Sequence, residues 1–546
     1  MEASPTREPG NRWAALAVVS VAVAMIILDA TVVAVALPTV ISSLGIDITT
    51  AEWVTTIYTV AFAALLIPSG QIVDRVGARR LLLAGVTTFV LGSIVSSTAV
   101  SGAMLLGGRL VQGTSGALIL PASLATITSL FTDRARPTAF GVWGAIIGGM
   151  AALGPLIGGW LTTNLSWRWV FIVNVPVGAL LLVAARFLMP RSVPAPRGRR
   201  FDIVGAVLVT VALGALTFAM VQGERFGWLV TIRPSSLGPF HWTKAGLSQS
   251  GGGFLLALVA AGGFAVRELR HAQSDRPTYL NWSLFRFRGF RFGNVAGAGV
   301  NFGEIAMVFV LPLYLQSVLG LSAWSTGLVL SSLAAAAFIG GPVAGQVARR
   351  WGERSVIVTG IVILTVAVVG ASRTVGPATS SGRLAPWLAL AGLGVGAVQA
   401  QLSSVILDEI PPEDSGQASG TQSTFRQLGA TFGVALTGAV LTMSLTSRAT
   451  AALTAAGLPS PQVGRVVESL AASGGTSLAT LRTTSKLAPV IAPLDQAFST
   501  AVQHALLVAV GGFVLALLAS LRLPGRSAAS GRERHRSNTS AASSGR

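Results

Sequence analysis

Five ionisable side chains interrupt the apolar stretches of this chain: Asp29, Arg109, Glu304, Arg426 and His504. A charge near the centre of a hydrocarbon layer costs on the order of 2.5–3.5 kcal/mol on insertion scales, so each such residue demands a reason. Of these types, carboxylates suit proton uptake and release, because burial disfavours their charged form. Asp29 and Glu304 are therefore the first candidates for proton chemistry. His504 falls near one end of its apolar stretch, where an ordinary hydrogen-bonded histidine is expected.

Three of these residues belong to polar stripes, since steps of three and four residues keep one side of a helix in register. Glu304 shares a face with Asn301, Gly297 and Asn294; Arg109 with Gln112 and Gly116; Arg426 with Gln422, Gly429 and Gly433. Each stripe is expected to line a wet cavity, which makes Gln112, Asn294, Asn301, Gln422 and Arg426 candidate substrate contacts. The plainer alternative is that these side chains pair across helices and hold a bundle together.

Two further segments bear on movement. The loop GQIVDRVGARR, Gly70 to Arg80, has Gly70 and Gly77 for a tight turn and Asp74, Arg75 and Arg79 for an ion-pair latch. The stretch AFGVWGAIIGGMAALGPLIGGWL, Ala139 to Leu161, sets Gly154, Pro155, Gly158 and Gly159 inside an apolar run. Proline deletes a backbone donor, and glycines let another helix come close, so this stretch reads as a bendable, tightly packed helix.

The elements that position these residues must be membrane helices. Apolar residues make up 52% of the chain and charged residues only 11%, far from the mix of an ordinary soluble domain. Fourteen segments are long enough to cross about 30 Å of hydrocarbon at 1.5 Å per residue: 13–37, 53–73, 81–100, 103–130, 138–162, 168–188, 202–222, 251–267, 290–317, 324–348, 355–373, 384–407, 419–446 and 498–521. Most Lys and Arg residues then fall in loops on the side of both termini, which places the termini in the cytoplasm. The expected fold is an all-α membrane protein of two six-helix bundles plus two inserted helices.

The expected organisation is a cytoplasmic N-terminus (1–12), a first six-helix bundle (13–188), basic linkers with the inserted pair (189–289), a second bundle (290–522) with a long outer loop (447–497), and a disordered basic tail (523–546). Within the outer loop, Val463, Val466, Val467 and Leu470 lie at helical spacing and predict a short amphipathic helix on the outer membrane surface. The loop from about Gly223 to Ser250 reads as neither a span nor a folded domain.

Several function classes fall away. The chain has no cysteine and four histidines, which leaves no disulfide or thiolate site and makes metal chemistry improbable. Its two lysines, Lys244 and Lys486, stand in no phosphate-binding loop, so it is not a self-contained ATP-driven pump and no ATPase subunit is invoked. No nucleophile, base and orienting partner occur at a readable spacing, which argues against an enzyme. The net charge of +19 calls for no nucleic acid, because arginine-rich inner loops such as Arg197, Arg199 and Arg200 face anionic lipid.

The motifs together resemble the major facilitator superfamily, and within it the fourteen-helix drug:proton antiporter branch. LDATVVAVALP (Leu28 to Pro38) is similar to that branch's first-helix signature, with Ala34 in place of the usual Asn. The Gly70–Arg80 loop resembles the superfamily's inner-loop signature, RLVQGTSGA (Arg109 to Ala117) the fourth-helix signature and GPLIGG (Gly154 to Gly159) the antiporter signature of the fifth helix. WRWVFIVNVPVG (Trp167 to Gly178), PLYLQ (Pro312 to Gln316) and SGQASGTQSTFRQLGATFG (Ser415 to Gly433) extend the match over about 13 to 522. One departure is GQVARRWGER (Gly345 to Arg354), with Arg349 where the first half has Asp74, so the expected latch is asymmetric and rests on Asp74.

The resemblance implies a cell-membrane exporter of lipophilic drugs or antibiotics, working by alternating access and driven by the proton gradient without a cofactor. It further implies Asp29 as proton carrier, Arg109 as the residue that couples its protonation to the bundle, and Gly154 and Pro155 as the proton-tight interface. Glu304 is added on the residues alone, as a second acidic group in the opposite bundle. Export of a specific lipid, siderophore or peptide by the same mechanism, or a non-transporting receptor, are the alternatives.

Overall fold

In the computed structural model, residues 9–46, 48–131, 135–190, 202–232, 235–237, 240–243, 246–274, 280–411, 414–472, 478 and 488–524 are described. The first half carries α1 (Pro9–Leu44), α2 (Ile48–Val76), α3 (Ala78–Ser97), α4 (Gly102–Leu130), α5 (Arg136–Asn164), α6 (Trp169–Ile172) and α7 (Asn174–Leu188). The inserted pair is α8 (Ile203–Phe226) and α9 (Gln249–Gln273). The second half carries α10 (Arg288–Ser317), α11 (Ala323–Trp351), α12 (Glu353–Thr374), α13 (Ser381–Asp408), α14 (Ser415–Ala455), α15 (Ser460–Ala472) and α16 (Ala488–Ser520).

Among the described residues, 13 spans are long and apolar enough to cross a membrane, with α6 and α7 together forming one of them. The 29-residue α5 covers the remaining expected span, 138–162. Every expected span falls on one of these crossings. The sixth is broken at Val173, and Pro176 explains the break, because it has no N–H to give the carbonyl of Ile172. Side chains that face lipid are left bare, as at Leu180, Phe187, Leu258 and Met443, since hydrocarbon solvates them as well as a protein core would.

Helix ends follow local chemistry. Ser101, Asp202, Ser248 and Ser322 each accept a backbone N–H three residues on, at the starts of α4, α8, α9 and α11. The tight links α2–α3 and α11–α12 turn at Gly77 (φ 92°) and Gly352 (φ 85°). Those two positions coincide in the two inner-loop motifs, so the repeated sequence makes a repeated turn that only glycine adopts without strain.

Helices α1–α5 and α7 pack on one another, as do α10–α14 and α16. The boundary between the two bundles is made by α5 against α11 and α13, and by α2 and α4 against α14. The inserted helices pair with each other and lean on α2 and α14. The Arg267 guanidinium closes the pair at one end, with Nε and Nη2 2.8 Å from the Asp202 carboxylate oxygens.

Two expectations change. The segment after α8 contains a two-stranded antiparallel hairpin, Ser235–Leu237 with Phe240–Trp242, extended by a bridge between Val230 and Leu247. The amphipathic segment is helical as expected, but Val463, Val467 and Leu470 are buried and α15 packs on α14. Residues 1–8, most of the basic linker with Arg197, Arg199 and Arg200, residues 479–487 and the tail from 525 onward lie outside the described residues.

Candidate functional site

The first bundle encloses one closed polar cluster. Asp29 on α1 and Arg109 on α4 form an ion pair, Nη1 to Oδ2 2.5 Å, with both side chains almost wholly inaccessible. Gln112 and Asn174 donate to the other carboxylate oxygen at 2.9 and 2.8 Å. Arg109 also donates from Nε to the carbonyl of Val54 at 3.1 Å and from Nη1 to the Gln112 oxygen at 3.0 Å. Its guanidinium lies 4.1 Å from the Tyr58 ring centroid, a favourable cation–π placement. Ser93 accepts from both Gln112 and Asn174. Helices α1, α4 and α7 thus meet on a single carboxylate, and α2 and α3 are tied to it through Arg109, Gln112 and Asn174.

A second polar cluster lies across the bundle boundary. Glu304 on α10 is buried and accepts from the Gln399 amide of α13 at 2.8 Å. The Arg426 guanidinium sits 5.8 Å from the ring centroid of Trp143, which belongs to α5 of the opposite bundle. Gln422 donates to Ser403 at 2.9 Å, while Asn294 and Asn301 return their amide protons to the carbonyls of Phe290 and Gly297. Here satisfaction is incomplete: Arg426 Nη1, Trp143 Nε1, Gln422 Oε1 and Asn294 Oδ1 are shielded and without partner.

The bundle boundary is fastened at the end where the basic loops lie. Asp74, near the end of α2, accepts the backbone N–H groups of Gly416 and Gln417 at 2.6 and 2.8 Å. Both lie in the first turn of α14, whose N–H groups have no acceptor within the helix, and where a carboxylate also meets the positive end of the helix dipole. Gly70 permits this approach, since a side chain there would run into the backbone of Gly416 and Gly420. Arg136 at the start of α5 makes a second fastening, with Nη2 2.5 Å from the carbonyl of Leu407 and Nη1 3.5 Å from the Asp408 carboxylate.

The remaining expected gating residues lie on helices of the first bundle. Arg79 donates to the carbonyl of Arg186 on α7, and Arg75 lies in the last turn of α2. A side chain at Gly154 would overlap Thr31 of α1, and one at Gly158 would overlap Val32. These glycines therefore seat α5 on α1 and not on the other bundle. Gly159 is buried on the same helix, and the Pro155 side chain lies outside the described residues. The contacts of α5 across the boundary come from Gly141 against Gly341, Gly144 against Ala400, Gly149 against Phe338, and Leu156 against Gly327. His504 hydrogen-bonds Ser444 at 3.0 Å.

A family model described as the Major Facilitator Superfamily matches residues 19–434, more than half of the chain. The chain belongs to the major facilitator superfamily. Among curated proteins of this superfamily it is 34% identical to the probable actinorhodin transporter of Streptomyces coelicolor, over 81% of this chain and 75% of that protein. It is 32% identical to the tetracenomycin C resistance and export protein of Streptomyces glaucescens, over 79% and 76% respectively. It is also 32% identical to the multidrug efflux pump LfrA of Mycolicibacterium smegmatis, over 94% and 97%. The fold matches the proton:xylose symporter XylE, with a TM-score of 0.57 at 12% identity, covering 94% of this chain and 95% of that one.

Isolation among apolar residues marks Asp29, Arg109, Glu304 and Arg426, and stripe spacing adds Gln112, but neither marks the other partners. Ser93, Tyr58, Gln399 and Trp143 carry no such signal. Asn174 lies inside the WRWVFIVNVPVG motif, yet nothing in that motif says that its amide reaches α1.

Proposed function

We propose that this multi-pass membrane protein is a proton-coupled antiporter that exports lipophilic drugs or antibiotics by alternating access across the cell membrane. The drug-export half is supported by relatives named for antibiotic resistance, antibiotic export and multidrug efflux. The proton half rests on the buried pair of Asp29 and Arg109. Both groups are withdrawn from water, and protonating Asp29 removes the charge paired with Arg109. An unpaired buried cation is costly, by about 3–5 kcal/mol when one partner of such a pair is lost. Arg109 must then move or be rehydrated, and the helices that hold it move with it.

The packing offers a route for that movement. Thr31 and Val32, next along α1 from Asp29, are the residues seated against Gly154 and Gly158 of α5, and α5 is the helix that lies on α11 and α13 across the boundary. A shift of α1 is thereby passed to the bundle interface. With both termini in the cytoplasm, the fastenings at Asp74 and Arg136 close the cytoplasmic face, and rocking of the bundles must break them. A potential of about 100 mV supplies roughly 2.3 kcal/mol per proton, enough for a gradient of about 40- to 50-fold. The test is pH-gradient-driven movement of lipophilic dyes in proteoliposomes, which must be lost in Asp29→Asn.

A further inference from the structure

We infer that Arg426 and Trp143 form a subsite between the bundles for planar aromatic compounds that carry an ionised acid or phenolate. The inference rests on the export reading above and adds to it the substrate's charge and shape.

The two clusters differ in what they leave free. In the first bundle Arg109 is engaged by Asp29, Gln112, the Val54 carbonyl and the Tyr58 ring. It has little left to offer a ligand. Arg426 has no such company: its Nη1 is shielded and unpartnered, and so is the indole Nε1 of Trp143 beside it. Two unpartnered donors, one of them permanently charged, make a site for an oxyanion, because a buried donor without an acceptor costs about 1–3 kcal/mol until one arrives. Gln422 Oε1, one helical turn from Arg426, is a free acceptor at the rim of the same group and suits a hydroxyl.

Glu304 is the opposing charge. Its carboxylate accepts the Gln399 amide at 2.8 Å, and among the ion pairs of the described residues none joins it to Arg426. The guanidinium keeps its hydrogen-bonding edge for a ligand while Glu304 limits how strongly a bare inorganic anion is held. Selectivity for an aromatic body then comes from Trp143, whose ring lies beside the Arg426 guanidinium and edge-on to Phe140. Because Arg426 and Trp143 belong to different bundles, an occupant would bridge the boundary that has to rearrange during transport.

The test uses the purified full chain in lipid nanodiscs and a matched pair of probes, anthraquinone-2-carboxylate and its neutral methyl ester. The native chain is expected to bind the acid at least tenfold more tightly than the ester. Arg426→Gln is expected to weaken the acid at least tenfold and leave the ester within twofold, which also reports that the variant is folded. Arg426→Lys should recover part of the acid affinity. Trp143→Phe should weaken the acid severalfold more than the ester, and Trp143→Leu should weaken both. Equal affinity of acid and ester, no acid binding by the native chain, or an unchanged acid affinity in Arg426→Gln would each overturn the subsite. Gradient-driven transport of a neutral lipophilic dye by the native chain, measured in parallel, tests the export reading separately: no movement counts against export, whatever the probes show.

Discussion

Thr31 of α1 occupies the space that a side chain at Gly154 of α5 would need. The two residues therefore fix how closely the helix bearing Asp29 can approach the helix that meets the second bundle. This contact lies within one bundle: Gly154 and Gly158 seat α5 on α1, while Gly141, Gly144 and Gly149 of the same helix meet the second bundle.

Replacing Gly154 by valine should force α1 and α5 apart. Overpacking of a close contact costs roughly 1–3 kcal/mol, so the apparent thermal midpoint in detergent should fall and transport should fall with it. Adding Thr31→Ala to Gly154→Ala should recover part of the stability lost in Gly154→Ala alone, because it removes the Thr31 hydroxyl, the atom nearest the new Cβ. The pair is read as a double-mutant cycle by thermal unfolding.

Asp74→Ala should loosen the end of the boundary where the basic loops lie. Hydrogen bonds to a charged acceptor are worth about 1.5–3 kcal/mol, and two are lost to Gly416 and Gln417. Since the chain has no cysteine, Ser415→Cys gives a single labelling site in the first turn of α14, buried in the fastened state. Its reaction with a water-soluble maleimide should be about tenfold faster or more when Asp74 is alanine. An unchanged rate means the contact does not hold the boundary.

Gln399→Leu should be more damaging than Glu304→Gln. The leucine leaves a buried carboxylate without its donor, a loss of about 1–3 kcal/mol, whereas the glutamine at 304 can still pair with Gln399. Thermal midpoints of the two variants, measured side by side, should rank in that order.

Asn174→Leu should impair transport without unfolding the chain. It removes one of three donors to Asp29 and leaves the Arg109 ion pair in place. Drug-gradient transport at a fixed pH gradient should drop severalfold, with expression and thermal midpoint close to the native chain.

The membrane fold is legible in the sequence because a span is a one-dimensional property: twenty apolar residues in a row declare themselves, and all fourteen fall on crossings. The ion-pair partners Asp29 and Arg109 are legible for the same reason, as charges stranded among apolar residues. What the sequence does not show is which helix each face meets. Gly154 and Gly158 announce a close approach without naming α1 as the partner, and Trp143 looks like one more apolar residue until Arg426 is found beside its ring. The hairpin at Ser235–Trp242 escapes notice because strands of three residues carry no period to read. The α15 segment has the right pattern, but whether its apolar face meets lipid or α14 is settled by tertiary packing.

The central claim is that protonation of Asp29 drives export through its pairing with Arg109. The most direct test reconstitutes the native chain and Asp29→Asn in proteoliposomes and follows a lipophilic fluorescent dye under an imposed pH gradient. The amide keeps the shape of the carboxyl but cannot take up a proton. The native chain should move the dye only while the gradient lasts, and Asp29→Asn should be folded yet move none against its concentration. Full gradient-driven export by Asp29→Asn would contradict the account.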